Sequence, residues 1–309
     1  MVPIDRRGIR QTAAGDKPPS RIRRRVRALR EHFVFKKELR ARMISAAILI
    51  PTALFATWFG EWTFFAVVLL TGVLVLYEWL RMIGAGDITP LRWVGWIGLG
   101  VVAIAALTQP LPIAAIAVVA SMVVCGAVAW SYRFDIAVRW VAAGILYAGV
   151  AVIALVALRK GVDGFGAVVF VFLIAWASDT AAFFVGRKMG GPKLWRRVSP
   201  SKTWSGAAGG LVFGTLFGVL VAAWLKVPVT PTTVVVAALV SIAAQAGDLL
   251  QSAAKRRFAV KDAGSLIPGH GGVMDRVDGL MVAGLVAVIL GSVVVADHPA
   301  TGLLSLMGR

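Results

Sequence analysis

Residues 277–296 read VDGLMVAGLVAVILGSVVVA, a stretch with one carboxylate and no basic residue. A helix of about 20 apolar residues is long enough to cross the roughly 30 Å hydrocarbon core of a bilayer. Eight similar windows precede it, at about 43–59, 62–80, 93–109, 111–130, 136–158, 164–186, 206–225 and 230–250. The sequence therefore predicts an all-α, polytopic membrane bundle of about nine transmembrane helices.

The composition supports this prediction. Of the 309 residues, 59% are hydrophobic and only 16% are charged, whereas soluble domains carry about 25% charged residues. An ordinary soluble fold is therefore excluded. The single cysteine, Cys125, also excludes an internal disulfide and a cysteine-based zinc site.

The net charge of +18 is concentrated in particular segments. Residues 1–42 contain 14 Lys/Arg and 4 Asp/Glu, and they are expected to form a basic, largely disordered tail before a transmembrane domain at 43–309. With this tail in the cytoplasm, 28 of the 33 Lys/Arg lie on the cytoplasmic side. We therefore expect a protein of a bacterial-type inner membrane. Nucleic acid is not an expected partner, because orientation and anionic lipid account for the tail.

The loop at 251–276 contains the residue types that bind a metal and phosphates. Carboxylates suit Mg²⁺, and Lys and Arg neutralise phosphate oxygens. Asp275 and Asp278 share one helix face at their i, i+3 spacing if the helix begins there. The candidate residues in and beside this loop are Asp248, Lys255, Arg256, Lys261, Asp262, Asp275, Arg276 and Asp278. His270 is expected to orient the loop or bond a phosphate; a zinc site is not expected, since no second histidine can pair with it.

A second group of candidates lies near the other long loop, 187–205. It offers two hydroxyls and a cation, from Ser199, Lys202 and Thr203. Asp179 lies inside the sixth apolar window, where an ionisable residue suggests a functional site, although a helix-packing hydrogen bond is the alternative. In the seventh window a glycine recurs every fourth residue from 206 to 218, which predicts close helix packing.

The segment from Ser252 to Asp278 resembles the signature of the phosphatidate cytidylyltransferases (CDP-diacylglycerol synthases). The matching positions are Lys255-Arg256, Lys261-Asp262, Gly264, Ile267-Pro268, His270-Gly271-Gly272-Val273, Asp275-Arg276 and Val277-Asp278. A second similar region includes 178–187 and 199–206, where Ser201 and Ser205 depart from the family pattern. The resemblance covers 43–296 in architecture and 176–280 in motifs.

The resemblance implies that CTP and phosphatidic acid react to give CDP-diacylglycerol and pyrophosphate, at a site that faces the cytoplasm. It also implies Mg²⁺ as cofactor, with a second cation left open. On this hypothesis Asp248 and Asp275 are the metal ligands, and Asp278 and Asp262 are further ligands or support them. The expected phosphate-binding residues are Lys255, Arg256, Arg276, Ser199, Lys202 and Thr203, while Asp179 orients a cation or a basic residue.

Two other functions remain open from the sequence. A CTP-dependent lipid kinase of the dolichol kinase type would release CDP and a phosphorylated alcohol. A transporter could use Asp179, Asp248 and Asp278 to couple ions, although such sites tend to lie near the bilayer midplane. A homodimer is a further expectation, since such bundles commonly pair.

Overall fold

The computed structural model describes residues 47–132, 138–264, 266 and 271–308. The basic tail and His270 therefore lie outside the described residues. The helices are α1 Ala47–Phe59, α2 Glu61–Met82, α3 Thr89–Thr108, α4 Leu111–Ser131, α5 Val138–Arg159, α6 Gly164–Met189, α7 Trp204–Trp224, α8 Pro231–Arg257, α9 Met274–Val294 and α10 Pro299–Leu306; the strands are β1 Lys193–Trp195 and β2 Ser199–Thr203.

The helices confirm the predicted membrane bundle. In the described part of the chain, the eight helices α2–α9 are long and apolar enough to cross a bilayer. The first predicted window, 43–59, coincides with α1, whose 13 described residues are shorter than the roughly 20 that a span needs. Each of the nine windows thus contains a helix, and the short α10 was not predicted.

Two boundaries differ from the sequence prediction. Helix α8 continues to Arg257, so Lys255 and Arg256 lie on its last turn and not in a loop. A hydropathy window ends where charged residues begin, whereas backbone hydrogen bonds can extend a helix beyond the apolar layer. The loop at 187–205 likewise contains an antiparallel hairpin of β1 and β2, in which Lys193 pairs with Thr203.

The small residues of α7 allow its neighbours to approach closely. The four glycines at 206, 210, 214 and 218 are all buried. A Cβ added at Gly210 would lie 2.9 Å from the Ser178 carbonyl of α6, and one at Gly218 would lie 2.6 Å from Ala237 of α8. The predicted packing stripe is confirmed, and it holds α6, α7 and α8 together beneath the hairpin.

Contacts between helix ends show which loops lie together at each end of the bundle. At one end, the start of α9 contacts the last turns of α2, and the hairpin contacts α8 through Lys202 and Asp248. At the opposite end, Arg159 of α5 donates to the Thr57 carbonyl of α1, with an Nε–O distance of 2.9 Å. The charged residues of both motif-bearing loops therefore meet at a single end of the bundle.

Candidate functional site

A cavity of about 650 Å³ lies where the hairpin covers α6, α7 and α8. Helix α6 contributes Asp179 and Arg187, which lie on one face of the helix about two turns apart. The residues that line the cavity are Asp179, Ala182, Phe183, Gly186, Arg187, Gly190, Gly191, Lys193, Leu194, Ser201, Lys202, Thr203, Gly206, Ala207, Gln245 and Asp248. Three cations and two carboxylates in one cavity can bind a polyanion together with a metal ion.

Lys202 and Asp248 form an ion pair at this cavity. Strand β2 supplies the lysine, and α8 supplies the aspartate about two and a half turns before its end. About a quarter of each side chain is exposed, at 25% for Lys202 and 26% for Asp248. Ser252, one turn further along α8, donates to Asp248 Oδ1 at 3.4 Å. Both charged groups therefore remain accessible to a ligand in the cavity.

A second, smaller cavity of about 40 Å³ adjoins the first. Asp179 and Gln245 line both cavities, and Asp278 and Arg276 of α9 line the second. Asp248 lines the larger cavity, Asp278 lines the smaller one and Asp179 lines both, so the three side chains surround adjoining cavities and are called the carboxylate cluster below. Asp179, which the sequence singled out inside a span, thus belongs to the site and is exposed to the first cavity.

Asp275 has a different environment. Its Oδ1 accepts hydrogen bonds from Lys255 Nζ at 2.7 Å and Gln251 Nε2 at 3.2 Å. Its Oδ2 accepts from the backbone N–H groups of Ala263, at 3.0 Å, and Gly272, at 3.1 Å. A carboxylate has about four acceptor positions, and here all four face donors.

These contacts bear on which aspartates are available to a metal. The sequence paired Asp248 with Asp275, and that pairing stays a prediction. The contacts favour Asp278 in place of Asp275, because Asp278 lies with Asp248 in the carboxylate cluster and only Oδ1 accepts a described hydrogen bond, from Gly279 N–H at 2.8 Å. Lys255, expected to act on substrate, is likewise paired with Asp275 in a contact whose side chains are 13% and 6% exposed.

Three further predicted residues have clear structural contacts. Thr203 accepts the Gly206 N–H at 3.1 Å and so caps the start of α7. Ser199 is buried at the start of β2, with its hydroxyl 3.5 Å from that of Ser201. Arg256 Nε donates to the Val198 carbonyl at 3.3 Å. Arg256 therefore ties α8 to the hairpin, and Thr203 lines the cavity while it caps α7.

The remaining predicted residues are at the surface. Lys261 and Asp262 are exposed in the segment after α8, and Arg276 is exposed on the first turn of α9. Arg276 lines the smaller cavity. The structure therefore gathers Asp179, Lys202, Asp248, Arg276 and Asp278, and it does not place Lys261 or Asp262 among them.

Three polar residues in or beside the site were not predicted from the sequence. Gln245 lines both cavities, and Gln251 contacts Asp275. Glu78 of α2 is 1% exposed and accepts backbone hydrogen bonds from the start of α9. The criterion that singled out Asp179, an ionisable residue inside an apolar window, applies to Glu78 as well and would have identified it.

The carboxylate cluster fits a hard cation. Among the described residues, no three His, Cys, Asp or Glu side chains are close enough to form one metal site by themselves. Mg²⁺ is usually held by one or two carboxylates and completes its coordination with waters and substrate phosphates. Two carboxylates of the cluster, with Gln245 nearby, match that donor set.

Comparison with known proteins identifies the family. The Cytidylyltransferase family matches residues 40–294. The chain is 38% identical over 256 residues to a phosphatidate cytidylyltransferase of Brucella suis, covering 82% of this chain and 94% of the relative. It is 32% identical over 154 residues to one of Bacillus subtilis, covering 49% and 56% of the two chains. The resemblance found in the sequence is confirmed: the chain belongs to the cytidylyltransferase family and is a nucleotidyltransferase.

Proposed function

We propose that this enzyme is a phosphatidate cytidylyltransferase, which converts CTP and phosphatidic acid to CDP-diacylglycerol and pyrophosphate. The observation that carries the proposal is the cavity in which Lys202, Arg187 and Lys193 face Asp179 and Asp248 at the end of a membrane bundle. Cations can bind the triphosphate there, while the carboxylates can hold the metal that accompanies it. The relative from Brucella suis carries the same activity in its name.

In the proposed reaction, a phosphate oxygen of the lipid attacks the α-phosphorus of CTP. A bond forms between that oxygen and phosphorus, the bond to the β-phosphate oxygen breaks, and pyrophosphate leaves. The lipid phosphate is already ionised, so the step needs no protein nucleophile and no strong base. The main obstacle is repulsion between two anions, which Lys202, Arg187 and Arg276 can reduce from the sides of the cavities.

Asp248 and Asp278 are the residues that we propose hold Mg²⁺, with Asp179 and Gln245 beside them. The ion would supply charge neutralisation at the nucleotide phosphates. A second cation remains an expectation. Lys202 would leave Asp248 for a phosphate oxygen when the nucleotide binds, which frees the aspartate to act as a ligand.

The surroundings of the cavity are suited to a lipid substrate. Phe183 and Leu194 form part of its lining. An apolar groove of about 440 Å³ follows the outer face of α6 and α7, and Thr180, the neighbour of Asp179, lines it. A phospholipid could thus place its phosphate at the polar residues while its chains stay on apolar surface. We further propose that this end of the bundle faces the cytoplasm of a bacterial cell, from which CTP is supplied.

One assay tests the proposal against its rivals. Purified protein in detergent micelles with phosphatidic acid, CTP and Mg²⁺ should release pyrophosphate and form a cytidylylated lipid in equal amounts. A lipid kinase would instead release CDP from a lipid alcohol, and a transporter would consume no CTP. The variant Asp248→Asn provides the inactive control. Absence of the cytidylylated lipid with the wild-type protein would refute the assignment.

A further inference from the structure

Glu78 is a buried acidic residue that the proposed reaction does not use. It lies on α2, four residues before the end of that helix, and only 1% of it is exposed. Helix α2 belongs to the part of the chain that precedes both motif-bearing segments. An ionisable side chain at such a position needs polar partners, because burial without them is costly.

The partners of Glu78 are backbone groups at the start of α9. Oε1 accepts the Val273 N–H at 3.0 Å, and Oε2 accepts the Met274 N–H at 2.8 Å. The first N–H groups of a helix have no acceptor within it, and an acidic group is favourable at that end. Val273 makes no side-chain cap of its own. Glu78 therefore caps α9 from a different helix.

Two glycines in the segment before α9 lie close to the Glu78 carboxylate. A Cβ added at Gly264 would lie 2.5 Å from Glu78 Oε1, and one added at Gly272 would lie 2.5 Å from Oε2. Real Cβ atoms do not approach an oxygen so closely. A side chain at either glycine would therefore displace the Glu78 carboxylate from its two N–H donors.

The capped turn also contains the residues of the site. Asp275 follows Met274 directly and accepts the Gly272 N–H, so Glu78 and Asp275 hold adjacent backbone groups. Arg276 lies within the first turn of α9 and Asp278 directly follows that turn, and both line the smaller cavity. A shift at Met274 would therefore move Arg276 and Asp278 relative to Asp248.

We infer that Glu78 is a positioning residue for cytidylyl transfer: it fixes the start of α9 so that Asp278 and Arg276 stay at the smaller cavity with Asp179. The inference rests on the proposed function of the site. It assigns a part in the reaction to a helix outside residues 176–280. It differs from a general role in stability, because the effect should be confined to the start of α9 and to the groups positioned there.

The variant Glu78→Gln tests this inference. Glutamine has nearly the same shape, but its NH₂ group is a donor. It would therefore face one of the two backbone N–H groups that now donate to Glu78, and that hydrogen bond would be lost. We expect kcat to fall about 10- to 100-fold, the range typical when a partner that orients a metal ligand is replaced. The Mg²⁺ concentration for half-maximal activity should rise as well. A loss of folded protein alone would lower kcat without moving that concentration.

Two further variants sharpen the test. Glu61→Gln is the matched control, since Glu61 lies at the other end of α2 and also accepts a backbone N–H, from Gly161 at 2.8 Å. It should leave kcat and the Mg²⁺ dependence unchanged. Glu78→Asp retains the charge and both acceptor oxygens on a shorter side chain, and it should recover part of the lost activity.

Amide hydrogen exchange gives a readout that does not depend on activity. In Glu78→Gln, exchange should become faster in residues 271–280 and stay unchanged in α3 and α7. Wild-type activity in Glu78→Gln, or an increase in exchange spread evenly over all helices, would overturn the inference. If the wild-type protein forms no cytidylylated lipid, the proposed function fails, while the exchange experiment still decides whether Glu78 fixes the start of α9.

Discussion

Lys202 of the hairpin and Asp248 of α8 form a direct ion pair in the wall of the larger cavity. The pair joins two segments that lie 46 positions apart in the chain and carry the two groups of family motifs. Each side chain is about three-quarters covered and still reaches the cavity. In the proposed site, a nucleotide phosphate could replace Asp248 as the partner of Lys202, and a metal ion could replace Lys202 as the partner of Asp248. We therefore interpret the ion pair as the state of the site without substrate.

We expect Lys202→Met to lower kcat/KM for CTP. A hydrogen bond to a charged group contributes about 1.5–3 kcal/mol, which corresponds to roughly a 10- to 100-fold decrease at 1.4 kcal/mol per factor of ten. Stability should change little, because a partly exposed ion pair contributes about 0–1 kcal/mol. Steady-state kinetics and thermal unfolding in detergent measure the two effects. Lys226→Met, an exposed lysine in the turn after α7, is the control.

The proposed metal ligands can be distinguished from other aspartates by metal binding. Asp248→Asn and Asp278→Asn should each reduce activity at least about 100-fold, as removal of a group that stabilises developing charge does. Binding of Mn²⁺ in the presence of CTP, followed by electron paramagnetic resonance, should weaken in both variants. Asp297→Asn, an exposed aspartate after α9, should bind Mn²⁺ as the wild type does. Normal Mn²⁺ binding by Asp248→Asn would exclude this ligand.

Asp275 should behave differently from those two residues. Asparagine at this position keeps one acceptor oxygen, but it puts an NH₂ donor where the other oxygen now accepts and removes the charge that pairs with Lys255. Removing one partner of a buried ion pair costs about 3–5 kcal/mol, so Asp275→Asn should lower the thermal stability measurably. The exposed Asp262, in the same segment, gives the control Asp262→Asn, whose unfolding temperature should match the wild type. Equal stability of the two variants would contradict a structural role for Asp275.

The fold was predictable because long apolar windows admit few structures other than membrane helices. The hairpin was not, since β1 and β2 are three and five residues long and show no apolar alternation. The i, i+3 spacing of Asp275 and Asp278 predicted that they share a helix face if the helix begins there, and α9 does begin at Met274. The spacing could not show that Asp275 turns toward Ala263 and Lys255, because those contacts depend on the path of the preceding segment.

The candidate site was likewise predictable only in part. Asp179 was predictable as a carboxylate inside an apolar window, Asp248 as one near the end of a window and Lys202 as a cation in a long loop, and the structure brings them to one cavity. Thr203 was expected to bind phosphate, yet its hydroxyl is already the acceptor that caps α7. Glu78 was not predicted because it lies outside the two long loops, and its contact with the start of α9 joins residues 195 or more positions apart.

The orientation of the bundle can be tested with single cysteines. The natural Cys125 is buried in α4, so it should contribute little labelling. Arg197→Cys places a thiol in the hairpin, and Lys226→Cys places one in an exposed turn at the opposite end of the bundle. If the site faces the cytoplasm, a membrane-impermeant maleimide added to intact cells should label Lys226→Cys and leave Arg197→Cys unlabelled until the membrane is opened. The reverse pattern would place the hairpin, and the proposed site with it, on the outer side, where the distribution of Lys and Arg argues against it.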